Sequence, residues 1–325
     1  MATVQTVRGP VDCSELGLTL MHEHVFVVSA EVTQNYPEIW GDEEQRIADA
    51  AARLNELHSR GVGALVDLTV IGLGRYIPRI QKVAALTPLH IIVATGIYTY
   101  DEVPAYFQYR PRESMVDMFV GDIERGIGDT GVRAGILKCA TDAAGITPGV
   151  ERVLRAVAQA HRHTGAPIST HTHAQSRRGL EQQKIFQQEG VDLTRVIIGH
   201  SGDTTDLDYL EALLANGSYI GMDRFGIDTI LPFEDRVSTV AALCERGYAK
   251  QMVLSQDASC YIDWFREETL ARVLPNWHYL HLHNDVLPAL RKRGVTEEQI
   301  RTIMVENPRR IFETQGAYEA AGQTA

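Results

Sequence analysis

The residues best suited to chemistry begin with His22-Glu23-His24, set in the apolar run Thr19–Phe26. On a strand, residues two apart point to the same side, so both imidazoles face one way, while Met21 and Val25 have the opposite parity and suit an apolar outward face. Two converging imidazoles are half of a metal site. Alone, such a pair is more often two hydrogen-bonded histidines at a rim. The chain has 12 histidines, forming four H-x-H pairs, so the pairs have to be sorted by position. His171-Thr172-His173 ends another apolar run, His200 ends the next, and Asp257 ends the last. His171 and His173 share parity, and spacing does not choose between them. Four imidazoles and a carboxylate at the ends of apolar runs are hard to ascribe to coincidence.

Lys138 is the unusual member, because Gly135, Ile136, Leu137 and Cys139 around it are small or apolar. A lone ammonium is costly to desolvate there, and it repels cations. Burial lowers a lysine's pKa and makes the amine nucleophilic. Such an amine can add carbon dioxide and become a carbamate, an anion with two oxygens able to bridge two metals. The competing reading has Lys138 reaching the rim to pair with Asp142. The remaining histidines are expected to be peripheral. His281 and His283, with His278 nearby, lie past the last strand-like run; His161 and His163 end a helix, where a cation suits the dipole; His58 sits on another helix, and His90 precedes a strand.

The elements that must position these groups are eight strand-like runs: Thr19–Phe26, Ala64–Val70, Ile91–Thr95, Gly135–Cys139, Pro167–Thr172, Arg195–His200, Tyr219–Phe225 and Met252–Asp257. They are near-continuously apolar, as parallel strands covered on both faces are. Helical patterns lie between them. Ile47, Ala50, Ala51, Leu54 and Leu57 trace one face, with Asp42 as cap and Gly61 as stop. Val150, Val153, Leu154, Val157 and Ala158 trace another. Eight strands alternating with helices predict an α/β fold, a (β/α)8 TIM barrel whose chemistry gathers at the C-terminal ends of the strands. A doubly wound open sheet is the alternative, but no Gly-rich phosphate loop follows the first strand; Gly72-Leu73-Gly74 after the second is a weak match. No linker or repeat interrupts 1–325, so one domain is expected, with 316–325 a frayed tail.

The 325 residues are 44% hydrophobic and 22% charged, which excludes disordered and disulfide-scaffold classes. With 31 basic and 42 acidic residues the net charge is −11, which argues against nucleic acid as a partner. No run approaches the ~18 apolar residues of a membrane span, so no membrane partner is expected. The N-terminus lacks a signal-peptide pattern, and Cys13, Cys139, Cys244 and Cys260 form no C-x-x-C, so reduced thiols and a cytoplasmic location are expected.

Six segments together make the chain resemble the phosphotriesterase family of the amidohydrolase superfamily, and within it the phosphotriesterase-like lactonases. They are Leu20-Met21-His22-Glu23-His24, Val70-Ile71-Gly72-Leu73-Gly74-Arg75, Ala94-Thr95-Gly96-Ile97-Tyr98, Gly135-Ile136-Leu137-Lys138, Ile197-Ile198-Gly199-His200 and Gly221-Met222-Asp223-Arg224-Phe225-Gly226. The resemblance implies two divalent metal ions at the strand ends. His22, His24 and Asp257 would hold the more buried ion, and His171, rather than His173, would hold the more exposed one together with His200. N6-carboxylated Lys138 would bridge them with a hydroxide. Zinc, cobalt, manganese and iron all suit such ligands. Gln256 stands where relatives often carry histidine; its parity turns it away from Asp257, and an indirect effect is expected.

The implied reaction is attack of the bridging hydroxide on a lactone carbonyl, with Asp257 shuttling the proton to the leaving alkoxide. Tyr98 resembles the lactonase tyrosine that faces metals and ring. Arg224 is expected to order the neighbouring loops at the substrate side. The 258–282 loop carries Trp264, Phe265, Leu270, Trp277 and Tyr279, and the loop before it carries Ile227, Ile230 and Leu231. With Leu73, these predict an apolar channel for an alkyl chain. N-acyl homoserine lactones fit, with organophosphate triester hydrolysis as a side activity, and a homodimer is expected. A dedicated aryldialkylphosphatase is the alternative reading, and a non-catalytic metal-binding protein a more remote one.

Overall fold

Each of the eight apolar runs forms a strand: β1 Leu18–Glu23, β2 Val62–Asp67, β3 His90–Gly96, β4 Ile136–Thr141, β5 Ile168–Thr172, β6 Val196–Ile198, β7 Tyr219–Met222 and β8 Met252–Leu254. These come from a computed structural model that describes residues 2–99, 101–314 and 316–318. The strands lie side by side in chain order, every pair parallel. That order excludes the doubly wound sheet, in which strand order reverses. The segment after β8 returns to β1: the His22 amide donates to Ser255 Oγ (2.9 Å), and the Asp257 amide donates to His22 O (3.1 Å). The (β/α)8 barrel is thus joined at the end where the proposed ligands lie.

Alternation divides the core into two layers. Ala64, Val66, Ile92, Ala94, Ile136 and Val253 pack together, while Leu65, Ile91 and Leu137 pack against helix residues such as Leu54 and Leu154. Met21 joins the first, inner group, contrary to the outward placement expected from its parity, and Leu20 joins the outer one. The register between β1 and β2 shifts between Leu20 and Glu23. That irregularity breaks strict alternation and lets His22 turn inward directly after an inward Met21.

Several strands stop before their expected ends. β2 ends at Asp67, whose Oδ1 accepts the Thr69 amide (3.1 Å) and turns the chain. β7 ends at Met222 and β8 at Leu254. His200 and Asp257 have φ of 58° and 56°, a left-handed conformation that no strand accommodates. Helix Glu43–Ser59 buries the expected Ile47, Ala50, Ala51, Leu54 and Leu57; Asp42 caps it by accepting from Gln45 N (3.0 Å), and Gly61 at φ 91° follows its end.

Three features had no clear signal in the sequence. An antiparallel hairpin, Thr3–Thr6 with Gly9–Asp12, packs near the starts of β3 and β4. Phe26–Val27 pairs in parallel with Tyr261–Ile262, tying the loop after β1 to the loop after β8. The expected frayed tail is docked where it is described: Tyr318 Oη meets His161 Nε2 (2.7 Å) and accepts from the Asp192 amide (2.6 Å). The rest of that expectation, 319–325, lies outside the described residues. Among the described residues all four cysteines are free, and no helix is long and apolar enough to cross a membrane.

Gly96 carries a specific load at the end of β3. Its φ is 144°, and a Cβ there would stand 1.8 Å from the Lys138 carbonyl oxygen. Gly96→Ala must therefore displace β4 at Lys138. A loss of about 3 kcal/mol or more is expected in chemical denaturation.

Candidate metal centre

The predicted residues converge at the C-terminal ends of the strands. His22 lies in β1 and Lys138 in β4, and His171 lies near the end of β5. His24, His200 and Asp257 lie just past strand ends. His24 Nε2 stands 3.1 Å from Asp257 Oδ1, and His22 Nε2 stands 3.5 Å from the same oxygen. His200 Nε2 is 3.7 Å from Asp257 Oδ2. The His22 and His200 rings stack at 4.6 Å between centroids, and His171 meets His200 edge-on at 4.6 Å. Lys138 Nζ lies 2.9 Å from His22 Nε2. All six residues line one cavity of about 430 Å³.

Asp223 organises this cluster. Its Oδ2 faces His22 Nδ1 at 2.8 Å; its Oδ1 faces His200 Nδ1 at 2.9 Å and accepts the His200 amide at 2.7 Å. Burial, with the Asp257 charge nearby, raises the Asp223 pKa well above the usual carboxylate range. As the carboxylate, accepting the His200 amide and facing both rings, it leaves the hydrogen on each Nδ1 and a lone pair on each Nε2. Burial lowers the pKa of His22 and His200 well below the usual value and brings His171 down to about 4, which keeps these rings neutral. The Nε2 lone pair of His200 thus faces Asp257 Oδ2 with no proton between them, while that of His22 lies between Asp257 Oδ1 and the Lys138 amine. Acceptor against acceptor in a buried site is unfavourable unless a cation intervenes. The donor set fits divalent cations on this ground. His22, His24 and Asp257 have ligand atoms close enough to hold an ion; His22, His200 and Asp223 are also close enough, but their contacts are the Nδ1 hydrogen bonds to Asp223.

Lys138 does not reach the rim. It is buried, and burial pushes its amine down to about 8. Asp142 instead approaches His171 Nε2 at 3.5 Å, and hydrogen bonding to that ring holds its carboxyl well below the usual range. His173 turns away, its Nδ1 on Ser176 Oγ at 2.8 Å, so His171 is the member of that pair in the cluster. The expected peripheral histidines are engaged elsewhere: His58 Nδ1 with Val62 O, His161 Nδ1 with Ala166 O, and His281 Nδ1 with Asp285 Oδ2.

Polar residues without an assigned role hold the ligands in place. Thr69 Oγ1 is 2.9 Å from His24 Nδ1. Glu23, the middle of the H-x-H pair, is fully buried; its two oxygens accept the Gln256 and Ala258 amides at 2.8 and 2.7 Å, clasping Asp257 from both sides. Gln256 points away from the cluster as its parity implied, donating to Tyr279 O at 2.5 Å. Arg224 donates Nε to Asp257 Oδ2 and Nη1 to Asp203 Oδ2, both at 3.0 Å. In the sequence Glu23 is visible only as the middle of the His22–His24 pair and Asp223 only within the Gly221–Gly226 segment. Nothing in their spacing said which partners on other strands they would serve.

Above this polar floor the cavity is apolar. Leu73, Tyr98, Ile227 and Trp264 line it as expected, with Arg224 at its edge. Tyr98 lies edge-on to His171 at 5.2 Å and 6.3 Å from Trp264, between the cluster and the mouth. Two loop residues depart from expectation. Tyr279 is buried behind the site, with its hydroxyl bonded to His24 O. Leu231 does not line the cavity and offers its carbonyl to Arg236 at 3.0 Å.

The sequence model of the Phosphotriesterase family matches residues 2–312. A Mycobacterium tuberculosis protein named Phosphotriesterase homology protein is 65% identical over 98% of this chain and all of its own length. A Saccharolobus solfataricus Aryldialkylphosphatase is 40% identical over 94% of this chain and 98% of its own. More distant relatives include an N-acetyltaurine hydrolase of Danio rerio, at 25% identity. The solved structure of the phosphotriesterase from Mycobacterium tuberculosis superposes with a TM-score of 0.96 over 97% of this chain and all of that one, at 66% identity.

Asp223→Asn tests the shared carboxylate. It exchanges an oxygen acceptor for an amide donor against one of the two rings. Divalent-metal affinity, measured by chelator competition, is expected to fall about 10–100-fold.

Proposed function

Because this chain belongs to the phosphotriesterase family and is a hydrolase, we propose that it opens lactones carrying a hydrophobic tail, N-acyl homoserine lactones above all. One observation carries this reading: a single cavity joins a buried histidine and carboxylate floor to walls of Leu73, Tyr98, Ile227 and Trp264. A small polar ring reaches the floor while an alkyl chain follows the apolar loops.

In this reading His22, His24 and Asp257 would hold one cation and His171 and His200 a second, with Lys138 shared between the two groups. The Lys138 amine, lowered to about 8, adds carbon dioxide and releases a proton, replacing a buried cation with a two-oxygen anion. Two divalent cations held there would supply Lewis-acid polarisation and a water acidified towards neutral pH. When water adds to the lactone carbonyl carbon and the ring C–O bond breaks, Asp257 would accept the water's proton on a carboxylate oxygen and return it to the alkoxide released, while Arg224 and His24 fix the orientation of its oxygens. Tyr98 packs the substrate ring against the floor.

The same arrangement suits a phosphotriester, since both transition states place negative charge near the outer ligands. The name of the Saccharolobus relative favours this second reading. Organophosphate triester hydrolysis is therefore kept as the weaker activity of the same site.

The comparison that decides is kcat/KM for a long-chain acyl homoserine lactone against paraoxon. A lactone preference of at least about tenfold is expected, corresponding to 1.4 kcal/mol in the barrier. A preference for paraoxon overturns the reading. Lys138→Ala should lose both metal content, read by atomic absorption, and activity, with partial rescue by added short-chain carboxylate; two retained metals and full activity would contradict the bridging role.

A further inference from the structure

The largest fully buried side chain among the described residues is Arg236, in helix Phe233–Glu245 behind the loop that follows β7. Its guanidinium is 1% exposed, and it spends its donors on two kinds of partner. Nη1 meets Asp203 Oδ1 at 2.8 Å and Gly202 O at 2.7 Å; Nε donates to Leu231 O at 3.0 Å and Nη2 to Ile227 O at 3.3 Å. The last two carbonyls bracket the 227–231 segment. Within it, Ile227 and Ile230 project into the cavity wall. That segment has few bonds of its own, among them Ile230 N to Ile227 O at 3.1 Å.

Asp203 continues the connection. Its second oxygen takes Arg224 Nη1, and Arg224 Nε takes Asp257 Oδ2. An unbroken line of alternating charges, Arg236, Asp203, Arg224 and Asp257, therefore joins the apolar wall to the carboxylate of the cluster. Buried opposite charges that satisfy one another hold a single geometry, and loss of one member leaves the next unpaired.

We infer that Arg236 is a positioning residue for chain-length specificity: it sets the Ile227–Leu231 wall against which the substrate's alkyl chain packs, in register with Asp257. This rests on the acyl-chain reading of the cavity. Nothing in the reaction requires Arg236 to touch substrate. A lysine at 236 keeps a charge for Asp203 but cannot reach Gly202, Ile227 and Leu231 together, because an ammonium is a compact point rather than a planar fork.

The test uses metal-loaded protein and two probes with no cleavable ester, N-decanoyl and N-butanoyl cyclopentylamide, with binding measured by calorimetry. For Arg236→Lys, affinity for the decanoyl probe should fall about tenfold, what burying one to two methylenes is worth, while the butanoyl probe changes less than about twofold. In turnover, KM should rise several-fold more for the long-chain lactone than for the butanoyl lactone. Because this variant removes buried hydrogen bonds, a second variant, Ile230→Ala, alters the wall from its exposed side and should reduce the same discrimination. If the unmodified protein binds both probes equally, the acyl-chain reading fails and this inference with it. If it prefers the decanoyl probe and Arg236→Lys keeps the full preference, or weakens both probes alike, the inference is overturned and the proposed function stands.

Discussion

Neutral imidazole lone pairs facing a carboxylate inside a closed barrel are the constraint on which this protein is built. Asp223 creates it by accepting a hydrogen from His22 and another from His200, so both rings turn Nε2 towards Asp257. Burial keeps the rings neutral. The result is a concentration of electron pairs at one end of the barrel, and this is the property a cation-binding site needs. Lys138 in the same cluster sharpens the problem, since a cationic amine occupies space that cations would need. Its conversion to an anion would resolve both difficulties together.

Holding such a cluster requires the barrel to be joined at the end where the ligands lie. β1 and the segment after β8 meet through Ser255 and the two oxygens of Glu23 together with backbone bonds such as Asp257 N to His22 O and His24 N to Ala258 O. His200 and Asp257 adopt left-handed backbone conformations in the surrounding turns. Asp and His tolerate this better than most residues, but it costs on the order of 1–3 kcal/mol at each position. The surrounding hydrogen bonds over-determine both positions, and the strain aims two side chains that an extended strand would send elsewhere.

The cavity above the cluster separates two tasks. The polar floor comes from strands and their immediate ends, which are rigid. The walls come from the loops after β2, β3, β7 and β8, where substitutions change shape without disturbing the floor. Arg224, Asp203 and Arg236 are the exception, since they tie one wall to a floor residue by paired charges. Specificity and chemistry are physically linked on that side of the site.

Much of this was legible in the sequence, because the features concerned are local. Near-continuous apolar runs mean strands covered on both faces, and a lysine inside one must be buried. Histidines at the ends of such runs gather at one end of a barrel. The motifs carried the rest, and all six expected residues do meet. What the sequence left open involves partners far apart along the chain. The turn of His22 depends on a register shift between β1 and β2 that strict alternation does not contain, and so Met21 was assigned to the wrong face. Asp223 serves histidines 201 and 23 residues away, and Glu23 clasps a segment more than 230 residues on. Spacing along one strand specifies which side a residue faces. Only the closed barrel, with its stagger and its turns, decides which residues of other strands stand opposite.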